Sequence, residues 1–535
     1  MSDTAVLMRL EPVREALAEL RQLDAVGRLH HRDPALWSTS PGVQQGIIER
    51  LGWLDVVGGH DEWREALPVF VEQARADRLH HVLLVGMGGS SLAPELFART
   101  FAGRAAGAQM AILDSTHPAA VSAALDDPDL STTLVIVSSK SGATEETRAL
   151  AAQAAGLVPG PHHLVAVTDA GSELDDRASD QGWRAVWRNR SDIGGRYSAL
   201  SLFGMLPAAL VGVDIDAVWA SGAAMAARCG PQGAVDDNPA AQLAAFMAGL
   251  AASGLGGPGR NKLTLLLPEP LASLGDWIEQ LVAESTGKNG VGVVPVVGEP
   301  LGPPEVYGED RAFVAYRLGG KGPDTTALTA AGHPVLTLDL DDPLEVGGAF
   351  VLWEIATALA GALLGVNPFD EPNVAESKDN TRAVLAEFAA DELPEPEQGD
   401  VAALLGTLEA GDYFSLQAYL PPSAEYGAPL ARVREIVRDR CRVATTAGWG
   451  PRFLHSTGQL HKGGPNTVVA LQIVDVPRDG PDIPERDYDF ANLVRAQALG
   501  DLRSLRDHGR RVTQYAVTGP EDLARLADEI EAALD

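Results

Sequence analysis

"HVLLVGMGGSSLAPELF", residues 81–97, sets a short apolar run against three glycines and two serines, and then becomes helix-like. Four to eight branched apolar residues bounded by glycine are the length of a buried strand, not of a helix. Glycines let the backbone turn sharply and approach a ligand closely. The free N–H groups of a following helix favour an anion there. The turn is not a dinucleotide fingerprint, because the sixth position counted from Gly86 is Ser91, and it has no Walker lysine. Alone, it is as readily a packing turn.

The same texture recurs on either side. "QMAILDS" (109–115), "TLVIVSS" (133–139) and "HHLVAVT" (162–168) are further branched apolar runs, each followed by small residues and a helical pattern. Strands alternating with helices predict a parallel sheet covered on both faces. Upstream, from about residue 5 to 75, apolar residues recur at three- and four-residue spacing, which predicts an N-terminal helical segment over 1–75. A second block of the same plan starts near 261 with "NKLTLLLPEP". It continues through "LASLGDWIEQLVAES", "RAFVAYRL", "HPVLTLDL" and the apolar "GGAFVLWEIATALAGALLGV". A connector at 230–239 separates the two blocks, and "DELPEPEQGD" (391–400) reads as a linker. Beyond it, strands "YFSLQAYL" and "TVVALQIVDV" flank a helix expected at about 426–446. The predicted fold class is α/β, with two doubly wound parallel-sheet domains at 76–230 and 240–390 and a C-terminal α/β extension at 400–535.

Composition narrows the function. The 535 residues are 45% hydrophobic and 21% charged, with no apolar run taken to approach the roughly 18 residues of a membrane span. A formal net charge of −31 argues against nucleic acid and against an anionic membrane surface. A phosphate ligand would therefore need a local site of amide N–H groups, helix N-termini and a few selected cations. Two cysteines, Cys229 and Cys441, provide no disulfide framework and fit a reducing cytoplasm. Neither CxxC nor HExxH occurs, so no metal and no cofactor is expected.

Five more segments carry candidate chemistry. "SSKSGATEET" (138–147) is a second small-residue turn after an apolar run, with hydroxyls at Ser139, Ser141 and Thr144 where a helix begins. An ordinary N-cap cluster would look the same. Two such turns at one edge of a parallel sheet favour a ligand, and their hydroxyls favour a phosphorylated small molecule. "DIGGRYSALSLFG" (192–204) brings the permanent charge of Arg196 next to paired glycines. "EQLVAESTGKNG" (279–290) ends a helix whose apolar face is Leu271, Leu274, Trp277, Leu281 and Val282, and it leaves Glu284 at the dipole end that disfavours a carboxylate. "NPFDEPNVAESK" (367–378) places Lys378 early in a helix. "RFLHSTGQLHKGGPN" (452–466) holds His455 and His461, a residue type suited to proton transfer near neutrality. A metal pair is discounted because no third ligand is near.

Together these segments, over roughly residues 80–460, resemble the phosphoglucose isomerase family, with "GGRYS" and the "FD…V…K" segment close to family signatures. The "HSTGQLHKGGPN" loop and the long C-terminal region are most similar to the isomerase half of bacterial transaldolase–phosphoglucose isomerase fusions. The resemblance implies two sugar-isomerase (SIS) domains and interconversion of glucose 6-phosphate and fructose 6-phosphate through an enediol(ate). It implies that Gly89, Ser90, Ser139, Lys140, Ser141 and Thr144 hold the sugar phosphate. Glu284 becomes the general base with Gln280 beside it, Arg196 faces the reacting carbons, and Lys378 and His455 handle ring opening. It also implies a homodimer. The chain departs from the usual pattern in two ways: His455 follows Lys378 in order, and Glu371, Asn373 and Ala375 stand where Gln, Gly and Glu are usual. A non-catalytic SIS-type sugar-phosphate binding protein and an isomerase of a related sugar such as mannose 6-phosphate stay open as alternatives.

Overall fold

The apolar run at 81–85 is an inner strand of a five-stranded parallel sheet. A computed structural model of the chain describes residues 9–104, 107–126, 129–252, 259–387, 393–477 and 479–535, without the side chains of 374, 375, 377 and 378. Two helices stand out before the sheet, α1 (Glu11–Gln22) and α2 (Asp61–Ala76). Val13, Ala16, Leu17 and Leu20 of α1 are buried, the three-and-four spacing the sequence shows; residues 1–8 lie outside the description.

The first sheet contains β1 (His81–Val85), β2 (Gln109–Leu113), β3 (Thr133–Ser138), β4 (Leu164–Asp169) and β5 (Ala185–Asn189), in the order β2-β1-β3-β4-β5. Helices α3 (Leu92–Thr100) and α4 (Glu145–Leu157) follow β1 and β3. The strand order reverses between β1 and β3, the switch point where open α/β sheets bind ligands beyond their strand ends. Both small-residue turns leave the sheet at that point. Leu134 to Ser138 of β3 are buried throughout, as a strand covered on both faces requires.

The second sheet contains β6 (Lys262–Leu266), β7 (Val294–Val296), β8 (Arg311–Leu318) and β9 (Val335–Leu340), all parallel in the order β7-β6-β8-β9. Helix α5 (Ala272–Thr286) buries Leu274, Trp277, Leu281 and Val282. Helix α6 (Val346–Leu364) corrects one expectation. The segment Pro343–Leu364 is 22 residues long, and its most apolar stretch has a mean hydropathy of 1.7, long and apolar enough to cross a membrane. Within this fold 89% of its most apolar stretch is buried. Its Phe350 ring packs 4.6 Å from Trp277, its Trp353 donates to the Tyr316 hydroxyl at 2.7 Å, and Ala358 O accepts from Trp37 of the N-terminal segment at 2.9 Å. It is a core helix, apolar on every side except at the buried Glu354 and Thr357, because it is surrounded.

Helix α7 (Pro372–Glu387) leads to the third sheet, β10 (Tyr413–Tyr419), β11 (Ala444–Trp449), β12 (Val468–Val474) and β13 (Arg511–Ala516), parallel in the order β11-β10-β12-β13. The helix expected at 426–446 is α8 (Ala424–Cys441). Arg442, at φ 59°, stops it in the left-handed region, and the β-branched Val443, Thr445 and Thr446 continue into β11. Two further helices of this region, α9 (Gly458–Gly463) and α10 (Phe490–Asp507), bear on the site.

A buried polar seam joins the second and third sheets. Glu299, just after β7, accepts from the Thr445 N–H and hydroxyl of β11 at 2.8 Å each and pairs with Arg311 of β8, both side chains being fully buried. Arg434 of α8 donates to the carbonyls of Val297 and Thr445 at 2.8 Å each.

Candidate active site

The turn after β1 is pressed between two other parts of the chain. Gly88 has φ +55°, and a Cβ there would lie 2.7 Å from Gln280 Nε2 and from the His455 carbonyl. A Cβ on Gly89 would lie 2.1 Å from the Gly195 carbonyl. Only glycine permits these approaches, and they bring the Gly-rich turn, the "GGRYS" loop, α5 and the His455 loop together. The turn after β3 is beside them, since a Cβ on Gly86 would lie 2.9 Å from Ser138 O.

In that second turn Ser139 Oγ accepts from Gly142 N at 3.1 Å and Ser141 Oγ accepts from Ala143 N at 3.2 Å. Each hydroxyl keeps its proton to donate. Thr144 is the N-cap of α4 in extended conformation, and its side chain makes no capping bond. Lys140 Nζ pairs with Asp169 and donates to Ser191 O at 2.7 Å, so its charge is already shared.

Glu284 sits in the last turn of α5, 7% exposed. Its Oε2 accepts from Gln280 Nε2, one helical turn earlier, at 3.2 Å, and Gln280 also donates to His455 O at 2.8 Å. Burial pushes the Glu284 pKa up against the opposing charge of Arg196. Arg196 Nη1 stands 3.6 Å from Glu284 Oε1. Its remaining donors are fixed: Nε to Ser285 Oγ at 2.9 Å, Nη2 to the Pro368 and Asp370 carbonyls at 2.8 and 2.9 Å, and Nη1 to Glu371 Oε2 at 3.0 Å. The N-terminal segment braces this loop. Leu51 bridges to Ile193, and the Trp53 ring stacks 5.0 Å from that of Tyr197.

His455 enters from the third region of the same chain. Its Nε2 is 3.0 Å from Glu146 Oε1, and that oxygen also accepts from Gln497 Nε2 at 2.9 Å; Gln497 Oε1 in turn accepts from Thr116 Oγ1 at 2.6 Å. The neighbouring His461 is elsewhere: it is buried against Gln417 and the Tyr413 ring, and burial lowers its pKa to about 3. Lys378 lies on α7, and its side chain is outside the description.

Three residues of this cluster were not assigned roles by sequence. Glu146 orients His455, but an acid in the first turn of a helix is ordinary. Lys288, of "ESTGK", is 4% exposed and pairs with Asp370 Oδ1 at 3.0 Å; burial and the nearby Arg196 lower its pKa to about 8. Glu371 was visible only as a departure from pattern. Among the described residues no group of three or more His, Cys, Asp or Glu could hold a metal ion.

A phosphoglucose isomerase family model matches residues 70–302. The chain is 30% identical over 475 residues to a glucose-6-phosphate isomerase of Thermosynechococcus vestitus, covering 76% of this chain and 87% of that one. It is 31% identical over 437 residues to one of Synechococcus sp. (strain JA-2-3B'a(2-13)), covering 69% and 79%. Among solved structures, a glucose-6-phosphate isomerase from Chlamydia trachomatis superposes with a TM-score of 0.54 at 19% identity, over 72% of this chain and 86% of that one. A hypothetical protein from Thermus thermophilus gives 0.59 at 25%, over 70% and 98%.

Proposed function

The chain belongs to the phosphoglucose isomerase family, and from that premise we propose how its residues interconvert glucose 6-phosphate and fructose 6-phosphate. The observation that carries the proposal is the buried Glu284 carboxylate, set between the Arg196 guanidinium and Gln280 beneath the Gly-rich turn.

The reaction moves a proton between adjacent carbons after the ring opens. Gly89, Ser90, Ser139, Lys140, Ser141 and Thr144 are the proposed hold on the phosphate. That group does not react, so its binding energy goes into orientation. Ring opening needs one group to protonate the ring oxygen and one to take the anomeric hydroxyl proton; His455, held by Glu146, and Lys378 fill these roles, each transfer contributing ~10²–10⁴-fold. Glu284 takes the carbon proton and returns it to the neighbouring carbon, and the rise in its pKa makes it a stronger base. Negative charge growing on the enediolate oxygens is met by Arg196, which cannot itself deprotonate.

Reading the first two sheets as paired SIS domains, at 76–230 and 240–390, belongs to the same proposal, as does a cytoplasmic setting for two unpaired cysteines, one of them buried. A homodimer is the proposed assembly. Arg196, Glu284, Gln280 and His455 meet within one chain, which supports a dimer whose sites lie side by side. The test is to supply fructose 6-phosphate and follow glucose 6-phosphate, with Glu284→Gln as control. Absence of turnover by the unaltered chain would return the sugar-phosphate binding protein to the front.

A further inference from the structure

Arg196 does not serve Glu284 alone. The same Nη1 that lies 3.6 Å from Glu284 Oε1 lies 3.0 Å from Glu371 Oε2, so one edge of the guanidinium holds two carboxylates from different elements. The other donors are committed to Ser285 Oγ and to the carbonyls of Pro368 and Asp370, which fixes the plane and leaves that edge as the shared one. The Glu371 side chain is 36% exposed, whereas that of Glu284 is nearly sealed, at 9%. Where the family pattern has an uncharged glutamine, this chain therefore brings a second acid to the base's own cation.

We propose that Glu371 is a positioning residue that sets the working pH of the isomerase, by sharing Arg196 and so weakening that cation's hold on the proton-free form of Glu284. The proposal rests on Glu284 being the base. The charged and titratable groups around Glu284 come from every neighbouring element: Arg196 and Tyr197 from the loop after β5, Lys288 from the end of α5, His455 from the third region, and Asp370 and Glu371 from the approach to α7. Asp370 is paired with Lys288 at 3.0 Å, which leaves Glu371 as the acid that competes for Arg196. The direction of the Glu284 shift agrees: burial raises its pKa, Arg196 lowers it, and Glu371 raises it again.

The base must be ionised to act, so its pKa appears as the acid limb of the kcat/KM profile. In Glu371→Gln and Glu371→Ala the competing charge is gone and Arg196 favours the ionised base more strongly. The acid limb is expected to move to lower pH by on the order of one unit, with a lower plateau because the base is weaker. Glu371→Asp keeps the charge and is expected to keep the limb near its original position. Thermal unfolding of each variant separates these effects from loss of fold. Superimposable limbs in the original chain, Glu371→Gln and Glu371→Ala, with Glu284→Gln inactive, would overturn the proposal while leaving the base assignment standing. Full turnover by Glu284→Gln would remove the base assignment and this proposal with it.

Discussion

Glu284 Oε1 and Arg196 Nη1 lie 3.6 Å apart, and both side chains are nearly closed to water. A carboxylate in that setting gains proton affinity from burial and loses some to the guanidinium, and the balance is a raised pKa. Its amide counterpart keeps the shape and loses the proton acceptor. Glu284→Gln is expected to lower kcat by at least ~100-fold with little change in thermal midpoint, since Arg196 retains Glu371. A coupled assay for glucose 6-phosphate and a melting curve check both halves.

Ring opening separates from carbon proton transfer if the substrate has no ring. His455→Ala and Glu146→Gln are expected to slow isomerisation of the cyclic hexose phosphate by ~10²-fold or more. An open-chain sugar phosphate too short to cyclise should lose much less. Glu146→Gln tests the positioning role: an amide oxygen can still accept from both His455 and Gln497, which meet on one oxygen of Glu146, but the substitution removes the negative charge that steadies the imidazole when it carries a proton. Equal losses on both substrates would remove His455 from ring opening.

The Gly-rich turn tolerates no side chain at its tightest point. In Gly89→Ala the new methyl would sit 2.1 Å from Gly195 O, backbone that cannot swing aside like a side chain. The expected cost is about 1–3 kcal/mol in stability, and activity should fall further because Arg196 follows Gly195 directly. Denaturant unfolding and KM for fructose 6-phosphate measure the two effects.

Acid should attack the seam between the second and third sheets. Burial alone would raise the Glu299 pKa, but the charge and hydrogen bonds of Arg311, with support from Arg434 and Thr445, bring it below the usual value. A depressed folded-state pKa gives stability that is present above the unfolded value, about 4.3, and is lost as pH falls through the folded one. Glu299→Gln is expected to cost about 3–5 kcal/mol at neutral pH by leaving Arg311 buried and unpaired, and to flatten the acid side of the stability profile. Unchanged acid sensitivity in the variant would place the weak point elsewhere.

The strands that announce themselves in the sequence are runs of consecutive apolar residues, most of them buried on both faces as in β3 and β6, though β2 and β9 are partly exposed. Runs such as "TLVIVSS" and "NKLTLLLPEP" stand out because both sheet faces are covered. β5, the three-residue β7 and β13 carry polar or charged residues among apolar ones, or are too short, and give no such run. β11 was hidden behind a helix that stops at a left-handed arginine, a backbone choice that residue type does not announce. The site was legible in part for a similar reason. Arg196, Glu284 and the two turns sit in short stretches whose glycines and hydroxyls are unusual in combination. Glu146, Lys288 and Glu371 are ordinary charged residues locally, and their place follows from which sheet edges and loops meet. The apolar α6 shows the converse: composition cannot distinguish a helix wrapped in protein from one wrapped in lipid.

Gln280 and His455 stand 175 positions apart in sequence and touch within a single polypeptide. With the roles proposed for them, copies altered singly at Glu284 and at His455 are expected not to rescue each other when mixed, however tightly they associate. Cutting the chain between the second and third sheets would then split the proposed machinery itself, and the C-terminal quarter is expected to be no dispensable appendage.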